Sequence, residues 1–186
     1  MMLNFLKEIL VKLPFSSFFH ENLKESLSRQ LWHYLENSSH KVYTSMGIAM
    51  SFYFPDIMNL KAFQVYFKEQ IEKGTETKSY LIPDIFIADC KREDFCAYGY
   101  KGVPKWVIEI ASPSTVSKDL MEKLDIYQFI GVQEYWVVYD IYNVSVFLLE
   151  DNKYQKRDYS FEGVFGQDYL EIPVTVLSDL KVKMKE

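Results

Sequence analysis

Two strongly apolar runs with a helical stretch between them constrain the fold of this chain more than any other feature. Residues 106–111 read WVIEIA and residues 134–140 read EYWVVYD, and both are rich in residue types that favour buried strands. The stretch 116–130 between them is long enough for a helix, with serines able to cap its beginning and Gly131 suited to its end. A strand, a helix and a strand in this order predict a right-handed crossover between parallel strands.

The remaining elements are predicted from periodicity and turn residues. Leucines spaced by four predict a helix, and alternating runs on both sides of Asp151-Asn152 predict an antiparallel hairpin. By range, the sequence predicts a helix over 21–36, single strands over 41–54 and 80–89, mixed helix and strand spacing over 60–71, and a polar loop over 91–104. Together with the crossover, these elements predict an α/β fold, a mixed sheet flanked by helices.

The length of 186 residues predicts one domain with a sizeable core. Residues 1–18 are predicted to form an amphipathic segment that packs on the body of the fold or on a second copy, and residues 19–186 form the domain. No apolar run is long enough to cross a membrane, so no membrane partner is expected. The two cysteines lack metal-binding spacing, which favours a cytoplasmic location. A net charge of −5 argues against a protein that coats nucleic acid, but not against an enzyme with a local cationic site.

Two carboxylates lie inside apolar, strand-like runs, where a charge needs a partner, hydrogen bonds or a metal ion. Side-chain alternation puts Asp84 on the same face as Phe86, and Glu109 on the same face as Val107. If the two strands are neighbours, the carboxylates lie a few ångströms apart and repel each other. A hard cation such as Mg²⁺ or Mn²⁺ would relieve that repulsion.

A structural role is the alternative for each of these residues. Either acid alone could reach solvent at a strand end or pair with a lysine. On the predicted helix that follows Glu109, three polar side chains are spaced by four and share one face: Asp119, Lys123 and Tyr127. Taken alone, Lys123 in this spacing is more typical of a surface ion pair than of catalysis.

The order of these residues resembles a known group of nucleases. Pro83-Asp84 and the later Glu109-Ile110-Ala111 are similar to the core motif of the PD-(D/E)xK superfamily, which has the restriction-endonuclease-like fold. A longer series of matches resembles the Uma-two family of proposed restriction endonucleases, over about residues 20–180, with His20 at the start of its first core helix. The matching segments, in chain order, are Val103-Pro104, WVIEIASPST, Asp119, Lys123, Tyr127, Gly131-Val132 and Glu134-Tyr135-Trp136.

The resemblance implies a site for Mg²⁺ or Mn²⁺. Its ligands would be Asp84, Glu109 and the main-chain carbonyl of Ile110. The usual lysine of the superfamily would fall at position 111, where this chain has Ala111. The resemblance implies that Lys123 on the following helix replaces it as the third catalytic residue, beside Asp84 and Glu109.

Contacts to substrate are expected from Ser112, Asp119 and Tyr127, with turn formation for the serine and core packing for the tyrosine as alternatives. The expected function is hydrolysis of DNA by a metal-dependent endonuclease, with a homodimer suited to cutting both strands. Two other readings stay open: a nuclease fold that no longer cuts and binds nucleic acid or protein, and a phosphodiesterase for RNA or nucleotides. The first is motivated by the net acidity and by the lack of an accessory acid that many family members carry.

Overall fold

The computed structural model describes residues 15–50, 53–72, 80–89, 91–97, 99–111, 119–139 and 143–160. In these ranges the chain forms three α-helices: α1 (Phe15–Tyr34), α2 (Lys61–Glu72) and α3 (Asp119–Ile130). It also forms two short 3₁₀ helices, Pro55–Asn59 and Arg92–Asp94. The strands are β1 (Lys41–Thr44), β2 (Ile48–Ala49), β3 (Tyr80–Leu81), β4 (Ile85–Ala88), β5 (Phe95–Cys96), β6 (Gly99–Tyr100), β7 (Trp106–Ile110), β8 (Glu134–Val138), β9 (Asn143–Glu150) and β10 (Lys153–Ser160). The predicted α/β class is confirmed.

Six strands form the main sheet, in the order β1-β4-β7-β8-β9-β10. The central pair, β7 and β8, is parallel, and the other pairs are antiparallel. Helix α3 lies between these parallel strands in the chain, which confirms the predicted crossover unit. The predicted hairpin is also confirmed, because β9 and β10 pair on both sides of Asp151 and Asn152, which adopt the left-handed conformation of a tight turn.

Two segments predicted as single strands are each divided between two sheets. Residues 80–89 form β3 in a small sheet, ordered β3-β2-β6-β5, and then β4 in the main sheet. Pro83 lies at the division and lacks the N–H that a continuous ladder needs. Residues 41–54 divide at Ser45, whose φ of 51° is incompatible with a strand. The single-strand predictions are therefore wrong, and Asp84 lies at a bend directly before β4.

The structure resolves one segment that the sequence leaves open and corrects the prediction for another. Residues 60–71, which mixed two periodicities, form helix α2, because Phe63 and Phe67 lie one turn apart and are both buried in the core. Residues 91–104 are not a polar loop throughout. They contain β5 and β6, which pair in the small sheet and bury the ring of Tyr100.

Helices cover both faces of the main sheet, and each face has its own apolar core. The evenly spaced leucines of α1 pack with Ile85 and Ile108 on one face. Residues of α2 and α3 pack with Phe86 and Val107 on the other face. This confirms the alternation predicted for the two strands that carry or adjoin the acids. Of the helices described, none combines the length and apolar character needed to cross a membrane.

Gly99 allows the small sheet to form a close contact with Gly47. Its φ is +126°, and a Cβ at this position would overlap the carbonyl oxygen of Gly47. We expect Gly99→Ala to lower the free energy of unfolding by about 3 kcal/mol, because main chain on both sides must move. Gly131→Ala is the matched control, since Gly131 also has a positive φ, of +88°, but open space around it. Its expected cost is about 1 kcal/mol. Chemical denaturation measures both, and equal losses would contradict this steric account.

Candidate active site

Glu109 is the buried centre of the site. It is the fourth residue of β7, lies on the face covered by α3, and is only 4% exposed. The antiparallel register pairs Ile85, the first residue of β4, with Ile108. The adjacent pair in this register is Asp84 and Glu109, so these two residues lie opposite each other. The main-chain N–H of Ile110 donates to Asp84 Oδ2 at 2.8 Å, which fixes this arrangement. The two carboxylates that the sequence analysis paired are thus neighbours.

Two side chains of α3 contact the same oxygen of Glu109. Lys123 Nζ lies 2.9 Å from Glu109 Oε1, and the hydroxyl of Tyr127 donates to that oxygen at 2.9 Å. The spacing of four residues puts both groups on one side of the helix, as the sequence predicts. The Lys123 side chain is 14% exposed and pairs with a residue of another element. It is therefore not limited to a surface pair within its own helix.

Burial and neighbouring charges determine the protonation of this cluster. Burial raises the pKa of Glu109 above its usual range, Lys123 offsets part of that rise, and the negative charge of Asp84 adds to it. Burial acts to lower the pKa of Lys123, but the charges of Glu109 and Asp84 outweigh it, so the pKa of Lys123 is raised. Burial raises the pKa of Tyr127 well above its ordinary value, which keeps its hydroxyl a donor. The site thus combines a cationic lysine with a carboxylate that binds protons more readily than usual.

Asp84 is held by donors that approach from two different elements. His20 on α1 places its Nε2 3.1 Å from Asp84 Oδ2, which also accepts the N–H of Ile110. The main-chain carbonyl of Asp84 accepts the N–H of Ser45 at 3.1 Å. The side-chain contacts with His20 and Ile110 use Oδ2 of Asp84, just as Lys123 and Tyr127 of α3 contact Oε1 of Glu109. The second oxygen of each carboxylate is not engaged in them.

His20, which contacts Asp84, is not among the predicted site residues. The only sequence signal for His20 is the family resemblance, which puts it at the start of the first core helix. The three histidines show no metal-binding spacing. The role of His20 depends on α1 packing across one face of the sheet, so that the beginning of this helix reaches the bend before β4. Within the described ranges, no three His, Cys, Asp or Glu side chains are grouped to hold a metal ion.

The other predicted site residues are only partly described. Ile110 contributes its N–H to Asp84, and ligation of a metal by its carbonyl stays a prediction. Ser112 lies outside the described residues, and Asp119 begins α3 with a side chain that is likewise outside them. Tyr127 has no exposed surface and donates its hydroxyl to Glu109, so its contact with substrate also stays a prediction.

A family model described as "Putative restriction endonuclease", Uma2, matches residues 2–178. The chain belongs to the Uma2 family. This confirms the resemblance drawn from the ordered motifs, while assignment to the wider PD-(D/E)xK superfamily stays a prediction. Family membership supports nuclease function in general.

A solved structure shares the fold of this Uma2 protein. It is a protein from Anabaena variabilis described as "a putative nuclease belonging to DUF820", with a TM-score of 0.52 and 12% sequence identity. The match covers 76% of this chain and 67% of the other. At this identity the likeness concerns the fold alone. No curated protein matches the chain.

Replacing Lys123 with methionine is expected to destabilise this Uma2 protein in a pH-dependent way. Without Lys123, the folded-state pKa of Glu109 rises further. A carboxyl group with a raised pKa stabilises the fold below its unfolded-state pKa, and this contribution is lost as pH rises through the folded-state pKa. The free energy of unfolding should therefore fall by about 3 kcal/mol at pH 8 and by less at pH 5.

Chemical denaturation of the protein in EDTA measures this loss at both pH values. Lys153→Met is the matched control, because Lys153 is an exposed lysine at the start of β10. Adding Glu109→Gln to the Lys123 variant removes the buried carboxylate and should recover stability at pH 8. A loss that is equal at the two pH values would contradict the ion-pair account.

Proposed function

We propose that this chain is an endonuclease that uses Mg²⁺ or Mn²⁺ to hydrolyse phosphodiester bonds of DNA. The observation that carries the proposal is the convergence of Asp84, Glu109 and Lys123 at one end of the central strands, in a family whose description is "Putative restriction endonuclease". Two acids and a lysine on adjacent elements are the residue types that metal-assisted phosphodiester chemistry uses.

The donor set suits a small hard cation. Asp84 and Glu109 are close enough for the charge of one to raise the pKa of the other, which is the repulsion that a cation would relieve. Each has a carboxylate oxygen that its described contacts leave unengaged, and oxygen is the donor that Mg²⁺ and Mn²⁺ prefer. The carbonyl of Ile110 is the proposed third ligand. When bound, the ion would neutralise negative charge that develops on the phosphate.

Each side chain then has a separate task. Asp84 and Glu109 bind the cation, and Tyr127 keeps Glu109 in place through its buried hydroxyl. Lys123, which carries a positive charge at neutral pH, orients the attacking water and stabilises charge on the phosphate in the transition state. Because Lys123 contacts Glu109 directly, it also limits the repulsion between the two carboxylates while no cation is bound.

DNA is proposed as the substrate because of the family description, and an RNA or nucleotide substrate is the nearest alternative. A homodimer with two-fold symmetry would present one active site to each strand of a duplex. The N-terminal segment predicted to take part in such a contact, residues 1–18, lies mostly outside the described residues. A fold that binds without cutting is the other alternative, motivated by the net charge of −5 and by the lack of an accessory acid.

Cleavage of supercoiled plasmid in the presence of Mn²⁺ tests the proposal. We expect wild-type protein to nick or linearise the plasmid in Mn²⁺ and to be inactive in EDTA. Asp84→Asn and Glu109→Gln should each lower the rate by at least about 100-fold, because each removes a cation ligand. Lys123→Met should cause a similar loss by removing charge stabilisation, which is typically worth about 100-fold or more.

Matched controls separate the site from general damage. Asp125→Asn changes an exposed acid of α3, and Lys153→Met an exposed lysine of β10; both should cleave like wild type. Full activity of Asp84→Asn or Glu109→Gln would refute the assignment. Cleavage of RNA but not DNA would favour the phosphodiesterase alternative, and metal binding without cleavage of either would favour the binding module.

A further inference from the structure

His20 forms part of a closed ring of contacts that begins and ends at Asp84. From the Asp84 side chain, the ring passes to His20 Nε2 at 3.1 Å, and from His20 Nδ1 to Glu21 Oε1 at 3.4 Å. Glu21 Oε2 lies 2.7 Å from Lys24 Nζ, which lies 3.4 Å from Ser45 Oγ. Ser45 closes the ring by donating its main-chain N–H to the carbonyl of Asp84. Both the side chain and the main chain of Asp84 are therefore tied to the beginning of α1.

We propose that His20 is a positioning residue that orients the Asp84 carboxylate for the cation. This inference rests on the proposed function. It concerns a contact made by α1, which packs on the opposite face of the sheet from the helix that carries Lys123. A carboxylate oxygen can only accept, so Nε2 of His20 must carry the proton that it donates to Oδ2. With Ile110 donating to the same oxygen, two elements hold Oδ2, and these contacts do not engage Oδ1.

The need for such a contact follows from where Asp84 lies. It occupies the bend between β3 and β4, where the hydrogen bond from Ser45 holds its main-chain carbonyl but not its side chain. Its side chain is 19% exposed, and without a second donor it could rotate toward solvent. Partners that orient a metal-binding side chain typically change metal affinity by about 10- to 100-fold when they are lost.

The rest of the ring is expected to contribute less. The side chain of Glu21 is 63% exposed, and ion pairs at such sites are screened by water. Lys24 is 16% exposed, but its close partner is this same exposed glutamate. His20, at 21% exposure, is the ring member that contacts Asp84 directly through its side chain. The proposal therefore predicts a large effect for His20 and a small one for Glu21.

Binding of Mn²⁺ to the full chain tests this inference without relying on catalysis. It is measured by electron paramagnetic resonance, after the protein has been treated with EDTA and the EDTA has been removed. We expect His20→Ala to raise the dissociation constant for Mn²⁺ by at least about 10-fold. Glu21→Gln should change it by less than about 3-fold. His33→Ala is the matched control on the same helix, because His33 is 86% exposed, and it should bind Mn²⁺ like wild type.

Two conservative variants keep the inference testable if His20→Ala does not fold. The amide nitrogen of glutamine can occupy nearly the position of His Nε2, whereas that of asparagine lies closer to Nδ1. His20→Gln should therefore retain most of the Mn²⁺ affinity, and His20→Asn should lose it, with similar thermal unfolding midpoints. Equal affinity of the two variants would overturn the positioning role, because a purely structural contact would affect folding instead.

The outcomes separate this inference from the proposed function. If Asp84→Asn abolishes Mn²⁺ binding while His20→Ala binds within about 2-fold of wild type, His20 does not position Asp84 and the proposed metal site stands. If wild-type protein binds no Mn²⁺, or Asp84→Asn binds it normally, the proposed metal site fails, and the role of His20 fails with it.

Discussion

The ion pair between Glu109 and Lys123 is the interaction on which the rest of this site depends. Glu109 occupies the central strand β7, where burial makes an unpaired carboxylate costly. Lys123 and Tyr127 meet this cost by contacting a single oxygen, which leaves the other oxygen outside these contacts. The crossover of the α/β fold makes this possible, because α3 returns along the sheet face on which Glu109 lies. A carboxylate that would destabilise a core strand if it were unpaired is thereby part of a polar cluster.

The sheet brings groups from both of its faces to one end of two neighbouring strands. Helix α3 reaches Glu109 from one side, and α1 reaches Asp84 from the other through His20. Asp84 lies at the bend between β3 and β4, directly before β4, and there it accepts from His20. The small sheet thus affects the position of Asp84, because the chain leaves this sheet after β3 and bends at Asp84 before β4 begins. The two acids share an end of the sheet but depend on different helices.

The sequence predicted those parts of the fold that follow from local periodicity. The leucine-spaced α1, the crossover through α3 and the final hairpin each carry a pattern that one element explains. Alternation along the sequence does not predict the bends at Ser45 and Pro83. The apolar alternation continues across both positions, and the change of sheet depends on tertiary pairing. For the site, strand alternation predicts that Asp84 and Glu109 are neighbours, whereas the place of Lys123 beside them follows from the family resemblance. The contact of His20 joins residues 64 positions apart, and no spacing rule along the chain reports it.

The central claim is that Asp84 and Glu109 together bind a divalent cation. A crystal soaked in Mn²⁺ and measured at the manganese absorption edge tests it most directly. We expect an anomalous peak about 2.2 Å from a carboxylate oxygen of each acid, with Lys123 nearby. A peak at other residues, or no peak while Glu109 keeps its contacts with Lys123 and Tyr127, would contradict it.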